Sequence, residues 1–216
     1  MRTRRLLTLC AAIVCAAGLA RPAAAQLAGR SAEEWIRTLE SSNRVAGLKI
    51  QETVAALKLK PGMIIADIGA GTGVFSAPFG VAVRPSGKVY AVDIDQGLID
   101  HIDDRVGEMG LTNYVHGVLG GFDDPNLPGD IDLAFINDVL HHIEHRQLYL
   151  KNLAAYVKPG GRIAVIDFRP NMGGHRNQPE LQTNQEVATQ WMADAGLKPV
   201  EEIKLFDDKW FVIYGK

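Results

Sequence analysis

The spacing of apolar positions changes character along the chain. Trp35, Ile36 and Leu39 recur at helical spacing behind Ser31. Glu34, three residues after that serine, completes a capping box, so a helix opens at Ala32. Ser41-Ser42-Asn43 interrupts it, and a second helical stretch runs from about Val45 to Leu57, closed by Pro61-Gly62. Short apolar runs then take over: Met63–Ile68, Lys88–Asp93, a weaker Tyr114–Val118, Ile131–Ile136 and Arg162–Asp167. Helix-like segments such as Gly97–Met109 and Gln147–Val157 separate most of them. Strands alternating with helices predict βαβ units and a parallel sheet covered on both faces.

The alternation breaks near the C-terminus. After a helix around Glu186–Ala195, Val200–Phe206 and Trp210–Tyr214 both read as strands, with only Asp207-Asp208-Lys209 between them. A parallel crossover needs a dozen or more residues, so this link forces a hairpin. The expected architecture is therefore α/β and Rossmann-like. It is a mostly parallel seven-stranded sheet with one antiparallel strand in a C-terminal hairpin.

The N-terminus has a different pattern. Arg2, Arg4 and Arg5 precede an uncharged apolar run from Leu6 to Ala20, and Ala23-Ala24-Ala25 supplies small residues before Gln26. The run is too short to span a bilayer comfortably, and the whole has the form of a cleaved secretory signal. Thr3-Arg4-Arg5-Leu6-Leu7 also resembles a twin-arginine export signal. The expected division is a signal peptide over 1–25, a helical extension over 26–60 and the main domain over 61–216. The expected location is outside the cytoplasm, in the periplasm, with no membrane span left after cleavage.

Composition sharpens this picture in two places. The 216 residues are 47% hydrophobic and 22% charged, an ordinary globular mixture. Both cysteines, Cys10 and Cys15, lie in the presumptive signal, so the mature chain forms no disulfide. Arg2, Arg4, Arg5 and Arg21 lie there too, which leaves 19 basic against 25 acidic residues, a net charge of −6. That balance disfavours nucleic acid as a partner, because phosphate contacts need clustered Lys and Arg.

The chemistry concentrates in Asp67-Ile68-Gly69-Ala70-Gly71-Thr72-Gly73, which follows a buried strand and precedes a helix. Glycines allow a sharp turn and a close approach of backbone to ligand. The carboxyl edge of the sheet is where open α/β folds bind. The spacing departs from the dinucleotide pattern Gly-x-Gly-x-x-Gly, since Val74 follows Gly73. The second strand ends in Asp93, 20 residues after Gly73, where a carboxylate can accept hydrogen bonds from ribose hydroxyls.

These motifs continue in order through Ala91-Val92-Asp93-Ile94-Asp95, Asn137-Asp138-Val139-Leu140-His141-His142-Ile143, and Leu153–Val157 with Lys158-Pro159-Gly160-Gly161. Together they resemble the class I S-adenosylmethionine-dependent methyltransferases from about Val45 to the C-terminus. The resemblance implies S-adenosylmethionine as cofactor and a small molecule as methyl acceptor. It implies that Asp67, Gly69, Ala70, Gly71 and Gly73 hold the methionine moiety and that Asp93 binds the ribose. Ile94 would lie against the adenine, Asp123 or Asp124 would contact the adenine amino group, and Asn137 would face the amino-acid end. The hairpin fits as well, because this family carries an antiparallel final strand.

No general base declares itself. His141 and, in the polar segment Arg169–Leu181, His175 are the weak candidates. That segment, with Arg176, reads equally as a lid or acceptor wall and as a solvated loop. The leading helices, with Trp35, Arg44 and Lys49, could also cover the acceptor site. No metal is expected, since His141 and His145 are the only pair at i, i+4 and no partner motif accompanies them. Two other functions remain open at this point. One is an exported binding module on the same fold without turnover; the other is a nicotinamide-dependent oxidoreductase, which the glycine spacing and the hairpin argue against.

Overall fold

The computed structural model describes residues 30–216. The segment expected to be a signal peptide lies outside the described residues. Three short helices come first: α1 (Ala32–Leu39), α2 (Ser42–Gly47) and α3 (Ile50–Ala56). Then β1 (Ile64–Ile68), α4 (Ser76–Ala82), β2 (Lys88–Asp93), α5 (Gln96–Glu108), β3 (Val115–Leu119) and β4 (Ile131–Asn137) follow in alternation. The chain ends with α6 (Arg146–Tyr156), β5 (Val157–Phe168), α7 (Gln185–Asp194), β6 (Lys198–Glu202) and β7 (Lys209–Gly215). The seven strands form one sheet in the order β3-β2-β1-β4-β5-β7-β6. Only β7 runs against its neighbours, pairing antiparallel with both β5 and β6. The expected fold class is what forms.

Alternation along each strand builds two cores. Ile65, Leu133, Phe135, Phe211 and Ile213 face one side, with Phe79 of α4 and Ile102 of α5. Ala66, Ile136, Trp210, Val212 and Tyr214 face the other, with Leu153 of α6 and Met192 of α7. Successive side chains of a strand point to opposite faces, so a strand buried on both sides must be apolar at every position. β7, written Lys-Trp-Phe-Val-Ile-Tyr-Gly, is buried at all but its last residue for this reason. No helix among the described residues is long and apolar enough to cross a membrane.

Local signals placed the helix starts well. Ser31 caps α1 in a full capping box: its amide donates to Glu34 Oε2 (3.0 Å) and its Oγ accepts from the Glu34 amide (3.3 Å). Asp95 caps α5 by accepting from the Gly97 and Leu98 amides. Two expectations need correction. The stretch Val45–Leu57 is not one helix, because Lys49 takes a left-handed conformation (φ +46°) between α2 and α3. Its ammonium donates to the Leu205 carbonyl (2.8 Å), a tertiary contact that local sequence does not encode. The penultimate strand is Lys198–Glu202 instead of Val200–Phe206. Leu205 and Phe206 instead leave the strand to pack into the first core, lengthening the link before β7.

Candidate functional site

β1 ends at Ile68 and the chain turns at once through Gly69, Gly71 and Gly73, with φ of +65°, +58° and +72°. Left-handed φ disfavours any residue with a Cβ. A Cβ on Gly69 would also overlap the Val139 side chain, and one on Gly71 would sit 2.9 Å from Leu39 Cδ1. Behind the loop, Asp67 is buried and accepts from Ser76 Oγ at 2.6 Å. Burial, opposed by that hydrogen bond and reinforced by the charge of Asp93, pushes the Asp67 carboxyl up to about 7. Thr72 Oγ1, Asn137 Oδ1 and Asp138 Oδ1 are buried around the ends of β1 and β4 without a hydrogen-bond partner among the described residues. Buried polar atoms are nearly always satisfied. Unsatisfied oxygens gathered beside a buried carboxyl suit a ligand with cationic donors.

Asp93 stands at the C-terminal end of β2. Its Oδ2 accepts from the Gly71 amide (2.9 Å) and its Oδ1 from the Asp95 amide (3.2 Å), so the carboxylate is clamped between the glycine loop and the start of α5. Burial raises its pKa and these backbone donors oppose the rise. The backbone carbonyl of Asp93 accepts from the Gly120 amide (2.9 Å), which brings the loop after β3 alongside. Two apolar side chains are left in the open at this edge, Ile94 at 37% and Phe122 at 62% exposure. Asp123 Oδ1 meets His145 Nδ1 at 2.8 Å, and Asp124 Oδ1 accepts from Tyr156 Oη and the Asn126 amide. Both aspartates are thus tied to α6 or to their own turn, and the geometry does not choose between them.

The leading helices cover this end of the sheet, and they cover the glycine loop more than any acceptor wall. Leu39 of α1 lies over Gly71, and Ala32 lies against Gly97. Glu40 fastens α1 to α5 through Arg105 (2.7 Å) and His101 (3.1 Å). Arg44 donates to the Leu39 carbonyl (3.2 Å).

A second cluster lies beyond β4 and β5 on the same edge. His141 is buried, its Nδ1 bonded to Asp167 Oδ1 at 2.6 Å while its amide donates to Asp167 Oδ2 (3.1 Å). The His142 ring lies beside it, tilted by 46° with ring centroids 4.2 Å apart, and His175 lies 5.0 Å from each. Burial, with His141, His175 and Arg146 adding to it, holds the His142 pKa down at about 3, so its ring is neutral at ordinary pH. The structure therefore brings together the two histidines singled out from sequence, one from each side of a 33-residue gap. The pairing of His141 with His145 is corrected. A 3₁₀ turn over Leu140–His142 ends before α6 begins, so the two do not share a helix face, and His145 turns to Asp123 on the surface.

Three positions whose contacts shape this edge escaped sequence reasoning. Asp167 had appeared only as the end of a strand, yet it orients His141. Asp138 adopts φ +56° and its Oδ2 pairs with Lys209 Nζ at 2.7 Å. Lys209, buried at the start of β7, also lies over the rings of Phe168 and Phe206. That pair joins residues 71 apart, and the one sequence signal was a lysine opening an otherwise apolar strand.

Residues 66–163 match a family model described as a methyltransferase domain. Of solved structures, an S-adenosylmethionine-dependent methyltransferase from Aquifex aeolicus superposes with a TM-score of 0.76 over 86% of this chain and 98% of that one, at 21% identity. The fold is the class I methyltransferase fold. The cyclase SpnF also superposes on this methyltransferase-fold chain, with a TM-score of 0.67 over 82% of this chain and 83% of its own, at 16% identity. Likeness at that level establishes architecture and leaves the reaction to the site. Among curated proteins, the ubiquinone/menaquinone biosynthesis C-methyltransferase UbiE of Vibrio vulnificus is 28% identical over 117 residues, 54% of this chain and 45% of its own. The chain thus spans about half the length of the curated relatives it matches.

Proposed function

We propose that this chain is an S-adenosylmethionine-dependent methyltransferase acting on a small molecule. The observation that carries this reading is the set of groups gathered at the ends of β1, β2 and β4. There a loop of three left-handed glycines meets the clamped carboxylate of Asp93 and a set of buried, unsatisfied oxygens. The loop Gly69–Gly73 with Ala70, backed by Asp67 and faced by Asn137, would hold the methionine moiety. Asp93 would accept the ribose hydroxyls. Ile94 and one of Asp123 and Asp124 would hold the adenine. When bound, the cofactor supplies a methyl group on a sulfonium that is its own leaving group. The protein's part is to position the acceptor and exclude water, and Leu39 over Gly71 gives α1 the second of these tasks.

The acceptor is argued from charge and size. UbiE aligns over 54% of this chain and 45% of its own length, so what its name says it methylates does not carry over to this chain. The net charge of −6 over residues 26–216 and the short additions to the core favour a small molecule over nucleic acid. From residues 1–25 alone we also propose export, with cleavage after Ala25. Cell fractionation should find processed protein outside the cytoplasm, and full-length protein retained inside would overturn export. If Arg4→Lys/Arg5→Lys abolishes export, the twin-arginine route carries it; if export persists, general secretion does.

Titration of purified protein with S-adenosylmethionine and, separately, with a nicotinamide dinucleotide tests the main proposal. Saturable binding of the first and none of the second is expected. Gly71→Val should abolish binding while leaving the circular dichroism spectrum intact. Equal binding by wild type and Gly71→Val, or preference for the dinucleotide, would refute it.

A further inference from the structure

The three imidazoles of His141, His142 and His175 can each offer one nitrogen, and these three nitrogens lie within 4.8 Å of one another. A tetrahedral zinc ion with bonds of about 2.0–2.1 Å needs ligand nitrogens ~3.3 Å apart. Side-chain rotations that close the set by ~1.5 Å or less would reach that spacing, and His175 sits on a loop able to supply them.

The surroundings of the rings match what a metal site requires. A ligating histidine usually donates its other N–H to a carboxylate or carbonyl, which fixes both tautomer and ring direction. His141 Nδ1 is bonded to Asp167 Oδ1 at 2.6 Å, and Asp167 is itself anchored by the amides of His141 and Phe168. His175 Nδ1 donates to Gln178 Oε1 at 2.6 Å. In both rings the hydrogen bond occupies Nδ1 and leaves Nε2 with its lone pair. His142 Nδ1 is buried and has no hydrogen-bond partner among the described residues. Arg169 lines the cleft beside the rings; Arg146, the cation that acts on His142, is spent on the carbonyls of Leu140, His141 and Glu180. The buried carboxylate of Asp167 opposes its charge at the cluster. This cleft is small, with His141, Asp167, Arg169, Met172, His175 and Thr183 in its lining.

We propose that His141, His142 and His175 bind a divalent transition-metal ion of the zinc class, oriented by Asp167 and Gln178. Borderline imidazole ligands suit zinc and its neighbours over magnesium or calcium, which take oxygen. Three protein ligands leave a tetrahedral ion one open position, the pattern of a catalytic site. The cluster lies only four residues past Asn137, on the carboxyl edge shared with the glycine loop. One consequence rests on the methyl-transfer reading: the open position would take an acceptor bearing an ionisable hydroxyl or thiol. Its proton would pass to bulk water, the oxygen or sulfur lone pair would bond the methyl carbon, and the carbon–sulfur electron pair would return to the donor's sulfur. That would answer the missing general base. It also departs from the sequence expectation of no metal, because the third ligand arrives from a loop no local motif announces.

The test is competition between untagged protein and a chromophoric chelator for zinc, alongside donor binding on the same samples. One zinc per chain is expected, with affinity at least tenfold weaker in His142→Ala and in His175→Ala and ten- to hundredfold weaker in Asp167→Asn, the usual cost of losing such a partner. His175→Ala lies on a loop and should fold, so its result counts even if Asp167→Asn does not. Loss of zinc with donor affinity retained supports the site. Zinc binding without any donor binding would leave the site standing and sink the methyl-transfer reading instead. No stoichiometric zinc in wild type, or zinc affinity unchanged in both histidine variants, would overturn the metal site.

Discussion

Asp67 lies buried behind the glycine loop with a hydroxyl partner, Ser76, and no ion pair among the described residues. Its pKa of about 7 in the folded protein exceeds the ordinary carboxylate value. Between about pH 4 and pH 7 the native state therefore holds a proton that the unfolded state has released, and stability falls as pH rises through that window. Asp93 and Asp138, also raised by burial, act in the same direction. A cationic donor bound beside the glycine loop would favour ionised Asp67, so its affinity should rise with pH through about 7, with proton release. Melting temperatures with and without S-adenosylmethionine between pH 5 and 8 would show this as a donor-induced shift that grows with pH. The growth should vanish in Asp67→Asn; a shift independent of pH in wild type would place the donor's charge elsewhere. At this scale the glycine turn after Asp67 and the strand end at Asp93 were legible as backbone features, because each is written in consecutive residues. Asp167 and Lys209 were not, since their roles come from partners 26 and 71 residues away.

Among the elements, α1 has the clearest consequence. It is fastened to α5 by Glu40 and rests on Gly71 through Leu39, so a donor bound as proposed would meet α1 on its way past this edge. Leu39→Ala should speed donor dissociation several-fold while leaving the sheet intact; stopped-flow release rates equal to wild type would remove α1 from the gate. The strand β7 supplies a second case. Lys209 and Asp138 form a buried pair, with side chains 6% and 10% exposed. Removing one partner strands the other charge, so Lys209→Met should cost about 3–5 kcal/mol in urea unfolding. Lys209→Met/Asp138→Leu should recover much of that loss. Equal stability of Lys209→Met and wild type would mean the pair is solvated in solution. Strand and helix positions were mostly readable, since periodicity and caps are local. The break at Lys49 and the departure of Phe206 from β6 were not, because each is fixed by packing between the leading helices and the link before β7.

For the whole molecule, the architecture followed from two facts visible in the chain: alternating strands and helices, then two strands too close for a crossover. Placing β7 between β5 and β6 needed the structure, although its unbroken apolar run already required burial on both faces. The same sheet edge gathers the glycine loop, Asp93 and the histidine cluster, so donor site and metal site stand or fall by separate measurements on one protein. On the proposed function, this edge binds S-adenosylmethionine through Asp93. Calorimetric titration of wild type and Asp93→Ala tests it most directly. The carboxylate's hydrogen bonds to ribose are worth roughly 1.5–3 kcal/mol, so the account predicts one site per chain in wild type and about ten- to hundredfold weaker binding in the variant. No binding by wild type, or the same affinity in both proteins, would contradict it.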